Sequence, residues 1–192
     1  MTEQPGRRER KKAATRQKIA DTALRLFLER GYDAVGIREV AAEADVAVTT
    51  LFSHFACKEA LVFERDADFE ERLTRAVTGR SPGEPFIPAL REAVRELLRH
   101  CTSGEAAPIW QMICETPALR EYEESMRLRH AASLAEALAV GSESSVTPTA
   151  ARAFARFVID AYCVARDEAD PERAADEIFG MIQAAWAAAP SD

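Results

Sequence analysis

Several things are scarce in this sequence, and each scarcity excludes a class of function. Lysine occurs four times in 192 residues, as Lys11, Lys12, Lys18 and Lys58. Histidine occurs three times, as His54, His100 and His130, too scattered to set up a metal cluster. The four cysteines, Cys57, Cys101, Cys114 and Cys163, are separated by 44, 13 and 49 residues, so there is neither a CxxC pair nor a zinc spacing. Their first reading is as small buried apolar side chains; a redox-sensing thiol at Cys101, Cys114 or Cys163 is the second. No apolar run is longer than AAWAAA (184–189), whereas a membrane-spanning helix needs about 20 residues. The start, MTEQPGRRERKKAATRQ, is basic and lacks the apolar stretch of a signal peptide, so a cytoplasmic protein without a membrane partner is expected. There is no glycine-rich phosphate loop, no HExxH and no GxSxG. His100 and Cys101 are neighbours and point about 100° apart on a helix, so they form no nucleophile–base pair. An enzyme is not expected, nor a metal or cofactor.

What is present is charge, unevenly placed. The net charge of −7 divides into +3 for residues 1–58 (11 Lys+Arg, 8 Asp+Glu) and −10 for residues 59–192 (14 and 24). Residues 1–20 alone hold seven cations and two anions. A basic first section on an acidic body fits a polyanion partner for that section; the bland alternative is a solvated tail.

Strand signals are almost absent, and apolar residues recur at three- and four-residue spacing, which predicts an all-α fold of about nine helices. The first is predicted over 15–30, burying Ile19, Ala23, Leu26 and Phe27, with Gly31 after it in a positive-φ cap and Tyr32 folded back on the last turn. Two short helices follow near 37–44 and 48–54. A longer one begins near Lys58 and carries Val62, Phe69, Leu73 and Val77. Further helices take in Ile87 to Cys101 and the short IWQMICE (109–115). Thr116-Pro117, Thr147-Pro148 and Asp170-Pro171 each read as a cap followed by proline at the first helical position, opening the last three. The final pair bury Phe154, Val158, Ala161 and Tyr162, then Ile178, Met181, Ile182, Ala185 and Trp186.

The two short helices, buttressed by the first, make a helix-turn-helix. Val40 and Ala41 face inward, Asp45 sits where the turn needs a residue tolerant of the left-handed conformation, and Val46 closes the core behind it. Leu51 and Phe55 are four apart on the inner side of the second short helix. Ala47, Val48, Thr49, Thr50, Ser53 and His54 then look outward, a small and partly hydroxylated face suited to the major groove. Lys58 is placed to hold a phosphate.

GYDAVGIREVAAEADVAVTTLFSHFACKEAL (31–61) resembles the N-terminal signature of the tetracycline-repressor (TetR/AcrR) family of bacterial regulators. The likeness covers roughly residues 15–62, and its parts come in order: a helix ending in Gly-aromatic, IREVA, the turn, TLFSHF, KEAL. The resemblance implies an all-helical homodimer whose C-terminal domain binds a small molecule and dimerises through the last two helices. The domain reading is a flexible basic arm over 1–14, the DNA-binding domain over 15–60 and a ligand-binding and dimerisation domain over 61–192. The expected function is a ligand-responsive repressor, released from a palindromic double-stranded DNA operator by a small apolar or amphipathic effector, with the helix from Lys58 to Val77 as lever. The alternatives are a helical interaction protein that has lost DNA binding, or a thiol-based redox sensor on the same fold.

By that resemblance Thr49, Thr50 and His54 match recognition positions, Lys58 the phosphate-contacting lysine and Arg38 a backbone contact. Phe52 stands where the family prefers tyrosine, and Ala47, Gly36 and Cys57 replace the usual capping residues. Losing such a cap costs about 1 kcal/mol, less for Gly. The arm cations Arg7, Arg8, Arg10, Lys11, Lys12 and Arg16 gain weight as phosphate or minor-groove contacts. For the ligand cavity the candidates are Phe86, Trp110, Met112, Met126, His130, Phe154 and Phe157, with plain core as their other reading. His100, Arg120 and Arg127 read first as a solvated face and second as contacts to a polar ligand group. Phe157, Tyr162, Phe179, Ile182 and Trp186 are the candidates for a four-helix dimer interface.

Overall fold

The computed structural model describes residues 6–64, 66–81, 83–101, 104, 106–141 and 146–187. Among these residues the fold is all-α, with nine α-helices and no strand: α1 (Arg7–Arg30), α2 (Ile37–Glu43), α3 (Val48–His54), α4 (Asp66–Thr78), α5 (Phe86–Cys101), α6 (Ala107–Glu115), α7 (Pro117–Gly141), α8 (Pro148–Arg166) and α9 (Pro171–Ala187). No helix among them is long and apolar enough to cross a membrane. They form two compact units, one drawn from residues 1–65 together with 108–120, the other from 66–107 and 121–192.

In the first unit α1 starts at Arg7 rather than near Thr15. Residues 7–14 are therefore helix, not a flexible arm. RRERKKAA contains no glycine, proline or β-branched residue to stop propagation. Gly6 starts the helix, and its N–H donates to the Glu9 carboxylate at 3.0 Å. At the other end Gly31 has φ 90°, its N–H bonds the Phe27 carbonyl at 2.8 Å, and the Tyr32 ring lies 5.1 Å from that of Phe27.

The α2–α3 turn is a Schellman motif. Val46 N–H reaches back to the Ala41 carbonyl (2.9 Å) and Asp45 N–H to that of Ala42 (3.1 Å), with Asp45 at φ 53°. This satisfies two terminal carbonyls of α2 and drops Val46 onto the core of Ile19, Leu26, Phe27, Val40, Leu51 and Phe55. Burial of each large apolar side chain there contributes about 1.5–3 kcal/mol. Glycine adopts this backbone without the clash of a Cβ. Asp45→Gly is expected to leave stability unchanged or raise it by up to about 1 kcal/mol, whereas Asp45→Val is expected to lower it by at least that much. Urea denaturation of the two variants reads the difference.

The continuous helix expected from Lys58 to Val77 is absent. A single 3₁₀ turn, Glu59–Leu61, follows Lys58, and α4 begins only at Asp66. Tertiary contacts override local propensity here. Leu61 and Val62 are buried in the first unit, the Tyr32 hydroxyl donates to Glu59 at 2.9 Å, and Glu64 is held by Arg16. The segment 108–120 also joins this unit: Ile113 and Leu119 are in its core, with Ile109, Trp110 and Met112 packed against it.

In the second unit α5 packs on α4, α8 and α9, and α9 on α8. Arg95 of α5 reaches Asp176 (2.6 Å) and Glu172 (2.8 Å) of α9. The expected caps open the last two helices: Thr147 Oγ1 accepts from Ala150 N–H at 3.2 Å, and Asp170 Oδ1 from Arg173 N–H at 3.1 Å. α8 buries Phe154, Val158, Ala161 and Tyr162 as the spacing predicts. α9 is turned from its predicted face. Ala175 and Phe179 are its buried residues, Met181 and Ala185 are exposed, and Ile178, Ile182 and Trp186 are half-buried.

Candidate nucleic-acid interface

α3 is seven residues long, as α2 is, and has one face in the core. Leu51 is its fully buried residue, Val48 packs against the core, and Thr49, Phe52 and Ser53 are exposed, with Thr50 and His54 half-buried. Ala47 begins the helix with no side-chain cap, as Gly36 does for α2. Ser53 Oγ donates to the Thr50 carbonyl at 2.7 Å.

The C-terminal end of α3 is fastened to α1 by Arg16. Its guanidinium donates to the His54 carbonyl and to Glu64 Oε1 (2.9 Å), and lies 4.3 Å from the centre of the buried Phe55 ring. Arg16 thus positions the end of α3. Its place was legible: it precedes Ile19 and Ala23 by three and seven residues, on the stripe α1 buries. Lys12 and Arg8 sit one and two turns earlier on that stripe. Arg7, Arg8, Arg10, Lys11 and Lys12 are all exposed, and no acid among the described residues pairs with them. Arg38, exposed on α2, is likewise without an acid partner there. Two other cations of the unit are paired, Arg25 with Glu29 and Glu43 and Arg30 with Glu39.

Lys58 does not open a helix towards solvent. Its ammonium donates to the Tyr32 carbonyl at 2.6 Å and lies 4.0 Å from the Tyr32 ring centre. Burial holds its pKa below the ordinary lysine range, partly offset by Asp33 and Glu59. Burial raises Glu59, but its own backbone N–H, the Cys57 thiol and the Tyr32 hydroxyl more than offset that and keep it a carboxylate. Lys58 therefore first locks the Tyr32 corner to the 3₁₀ turn.

The expected ligand residues are divided between the two units. Trp110 and Met112 pack in the first unit. In the second, Phe86 and Phe154 form an edge-to-face trio with Trp186 at 5.0–5.3 Å. Met126 and His130 are buried, and His130 contacts Phe69 (5.0 Å) and Glu70 (3.3 Å). Phe157 is exposed. An open groove of about 550 Å³ between α4 and α5 is lined by Asp68, Glu71, Arg72, Arg75, Glu92 and Glu96 with alanines beneath, a charged surface rather than an apolar cavity. Of the dimer candidates, Tyr162 and Phe179 are buried, Ile182 and Trp186 are half-buried, and Phe157 is 58% exposed.

The thiols are equally divided. Cys101 and Cys163 are buried, Cys57 is half-buried and Cys114 is exposed on α6. Burial pushes Cys163 up to about 11 and Cys101 above its ordinary value, against the pull of neighbouring arginines and tyrosine. Iodoacetamide at pH 8 is expected to modify Cys114 in the native protein and spare Cys101 and Cys163 until denaturant is added, because the thiolate is the reactive form. Peptide mass mapping reads the order, and early loss of Cys163 would contradict it.

A three-helix unit that presents an uncharged short helix beside unpaired cations belongs to the class of helix-turn-helix DNA-binding regulators. Residues 19–64 match the family described as bacterial regulatory proteins, tetR family. The transcriptional repressor Rv3405c of Mycobacterium tuberculosis is 31% identical over 144 residues, 73% of this chain and 76% of that one. The regulator TcmR of Streptomyces glaucescens is 34% identical over 101 residues, 53% of this chain and only 45% of TcmR. In fold, the crystal structure of the TetR-family regulator SCO0857 from Streptomyces coelicolor A3 superposes with a TM-score of 0.63 at 21% identity, over 96% of this chain and 98% of that one. The chain belongs to the TetR family of bacterial transcriptional regulators.

Proposed function

We propose that the protein is a dimeric repressor that binds a two-fold symmetric DNA operator and leaves it when a small molecule occupies the second unit. The observation that carries the DNA reading is the contrast within one unit. Arg16, Arg25 and Arg30 have acid partners, while Arg7, Arg8, Arg10, Lys11, Lys12 and Arg38 have none among the described residues. Unpaired, solvated cations are the groups that exchange condensed counterions for phosphate. In this reading Thr49, Thr50, Phe52 and Ser53 enter the major groove, with Ala47, Val48 and His54 at its edge and Lys58 as a secondary phosphate contact.

The dimer reading is supported by α8 and α9. Phe157 and Val164 are seven residues apart on α8 and more than half exposed, as is Met181 on α9. Burial of these side chains against a second copy would remove that apolar surface from water. A two-fold pair would set its two α3 helices about 34–36 Å apart, one turn of DNA. The effector acts only through differential affinity for DNA-bound and released states, typically a coupling of about 1–3 kcal/mol. The Rv3405c relative is a repressor by name, which supports repression here.

Titration of the full chain against a fluorescent duplex from its own upstream region, beside a scrambled duplex at two salt concentrations, tests the reading. Selective, salt-steep binding with a stoichiometry of two chains per duplex is expected. Equal weak binding to both duplexes, repeated with sequences selected from a random library, would defeat it.

A further inference from the structure

The exposed side of α3 offers a base pair very little polarity. Thr49, Phe52 and Ser53 are three and four residues apart and share one side of the helix. VTTLFSH holds no Arg, Lys, Asn or Gln, the side chains that grip guanine or adenine edges with paired hydrogen bonds. Two polar groups of the helix are already engaged or withdrawn. Ser53 spends its hydroxyl proton on the Thr50 carbonyl, which leaves the oxygen as an acceptor. His54 has its Nδ1 buried and its carbonyl held by Arg16.

The large side chain turned outward beside Thr49 and Ser53 is Phe52, 50% exposed. Among the described residues of the first unit it is the one aromatic ring in the open; Phe27, Tyr32 and Phe55 are buried, and Phe63 and Trp110 half-buried. A phenyl ring leaving water gains free energy chiefly by meeting apolar surface. In the major groove thymine supplies that surface through its 5-methyl group, while the other bases present chiefly hydrogen-bonding edges.

We infer that Phe52, with the γ-methyl of Thr49 beside it, is a specificity-determining residue that selects thymine by its 5-methyl group. This rests on the DNA-binding reading above and adds to it what is read. Selectivity then comes from shape and desolvation at α3, and attraction from the cations of α1 and α2. The two are separable, because none of those cations lies on α3.

The test uses the full chain and the tightest duplex it enriches from a randomised library. Each dT of that duplex is replaced singly by dU, which keeps every hydrogen-bonding atom of thymine and removes only the methyl. One dT→dU replacement in each half-site is expected to weaken binding about three- to tenfold, and the two together multiplicatively. With Phe52→Ala the same replacement is expected to have no effect. The wild-type arm needs no variant, and Phe52 is too exposed for its truncation to unfold the unit. A duplex indifferent to dU at every position overturns the inference while leaving the DNA-binding reading intact. So does a dU penalty that persists unchanged in Phe52→Ala. If the folded chain enriches no sequence at all, the DNA-binding reading falls, and the inference with it.

Discussion

Replacing Arg7, Arg8, Lys11 and Lys12 together by glutamine is expected to lower operator affinity by about 100- to 1000-fold near physiological salt, with no loss of helix. Each phosphate contact removed takes about 0.9 from the slope of log affinity against log salt on duplex DNA. Three to four such contacts produce a loss of that size. Glutamine propagates a helix about as well as lysine and arginine, so α1 keeps its length from Arg7 and the loss is electrostatic. Arg16 is left in place, and so is the fastening of α3. The loss is expected on operator and random duplexes alike, because these side chains meet phosphate rather than base edges. Parallel salt slopes for variant and wild type would remove the α1 extension from the interface.

The second large effect concerns the other unit. Glu123→Ala is expected to destabilise the protein by about 3 kcal/mol. Arg166 donates to Glu123 Oε1 at 2.6 Å, and Arg127 to the same oxygen at 3.3 Å. The Arg166 and Glu123 side chains are only 8% and 12% exposed, so this is a buried pair rather than a surface one. Burial acts to lower the pKa of Arg166, but the Glu123 carboxylate more than offsets it and keeps the guanidinium charged. Truncating Glu123 removes the buried carboxylate oxygen that both guanidinium groups share. Their other partners, Asp167 and Glu124, are mostly in solvent. For a chain of this size the expected fall in Tm is roughly 6–12 °C. Glu123→Gln, which still accepts a hydrogen bond, is expected to cost less. The double variant Glu123→Leu with Arg166→Met is expected to come close to wild type, because replacing a buried pair by apolar groups is often neutral. A Glu123→Ala protein within about 1 kcal/mol of wild type in urea would show that the carboxylate holds nothing.

The sequence carried the local parts of this fold well. Helix ends set by the chain itself, such as Gly31, Asp45, Thr147 and Asp170, were legible because capping and left-handed backbone depend on one or two residues. The inward positions Ile19, Val40, Leu51 and Phe55 followed from periodicity. The start of α1 is masked by charge, which resembles that of a solvated tail although RRERKKAA is a good helix sequence. What the sequence concealed was set by distant packing. The break after Lys58 depends on Tyr32, Glu59 and Arg16, none of which marks a helix end by its type. A large aromatic residue in a helix has both a core and a binding reading. Size does not separate a ring turned inward, such as Phe179, from one turned outward, such as Phe157.

The first unit is discontinuous in the chain, and this bears on modularity. Ile113 and Leu119 lie 2% and 0% exposed among residues of α1, α2 and α3. A fragment ending at residue 65 would carry the whole sequence signature and still lack part of its own interior. Grafting this reading head onto a foreign sensor therefore requires two cuts and the 108–120 segment as well. Recombination that exchanges residues 1–65 alone would be filtered by the fit of that segment, which spans the end of α6 and the start of α7.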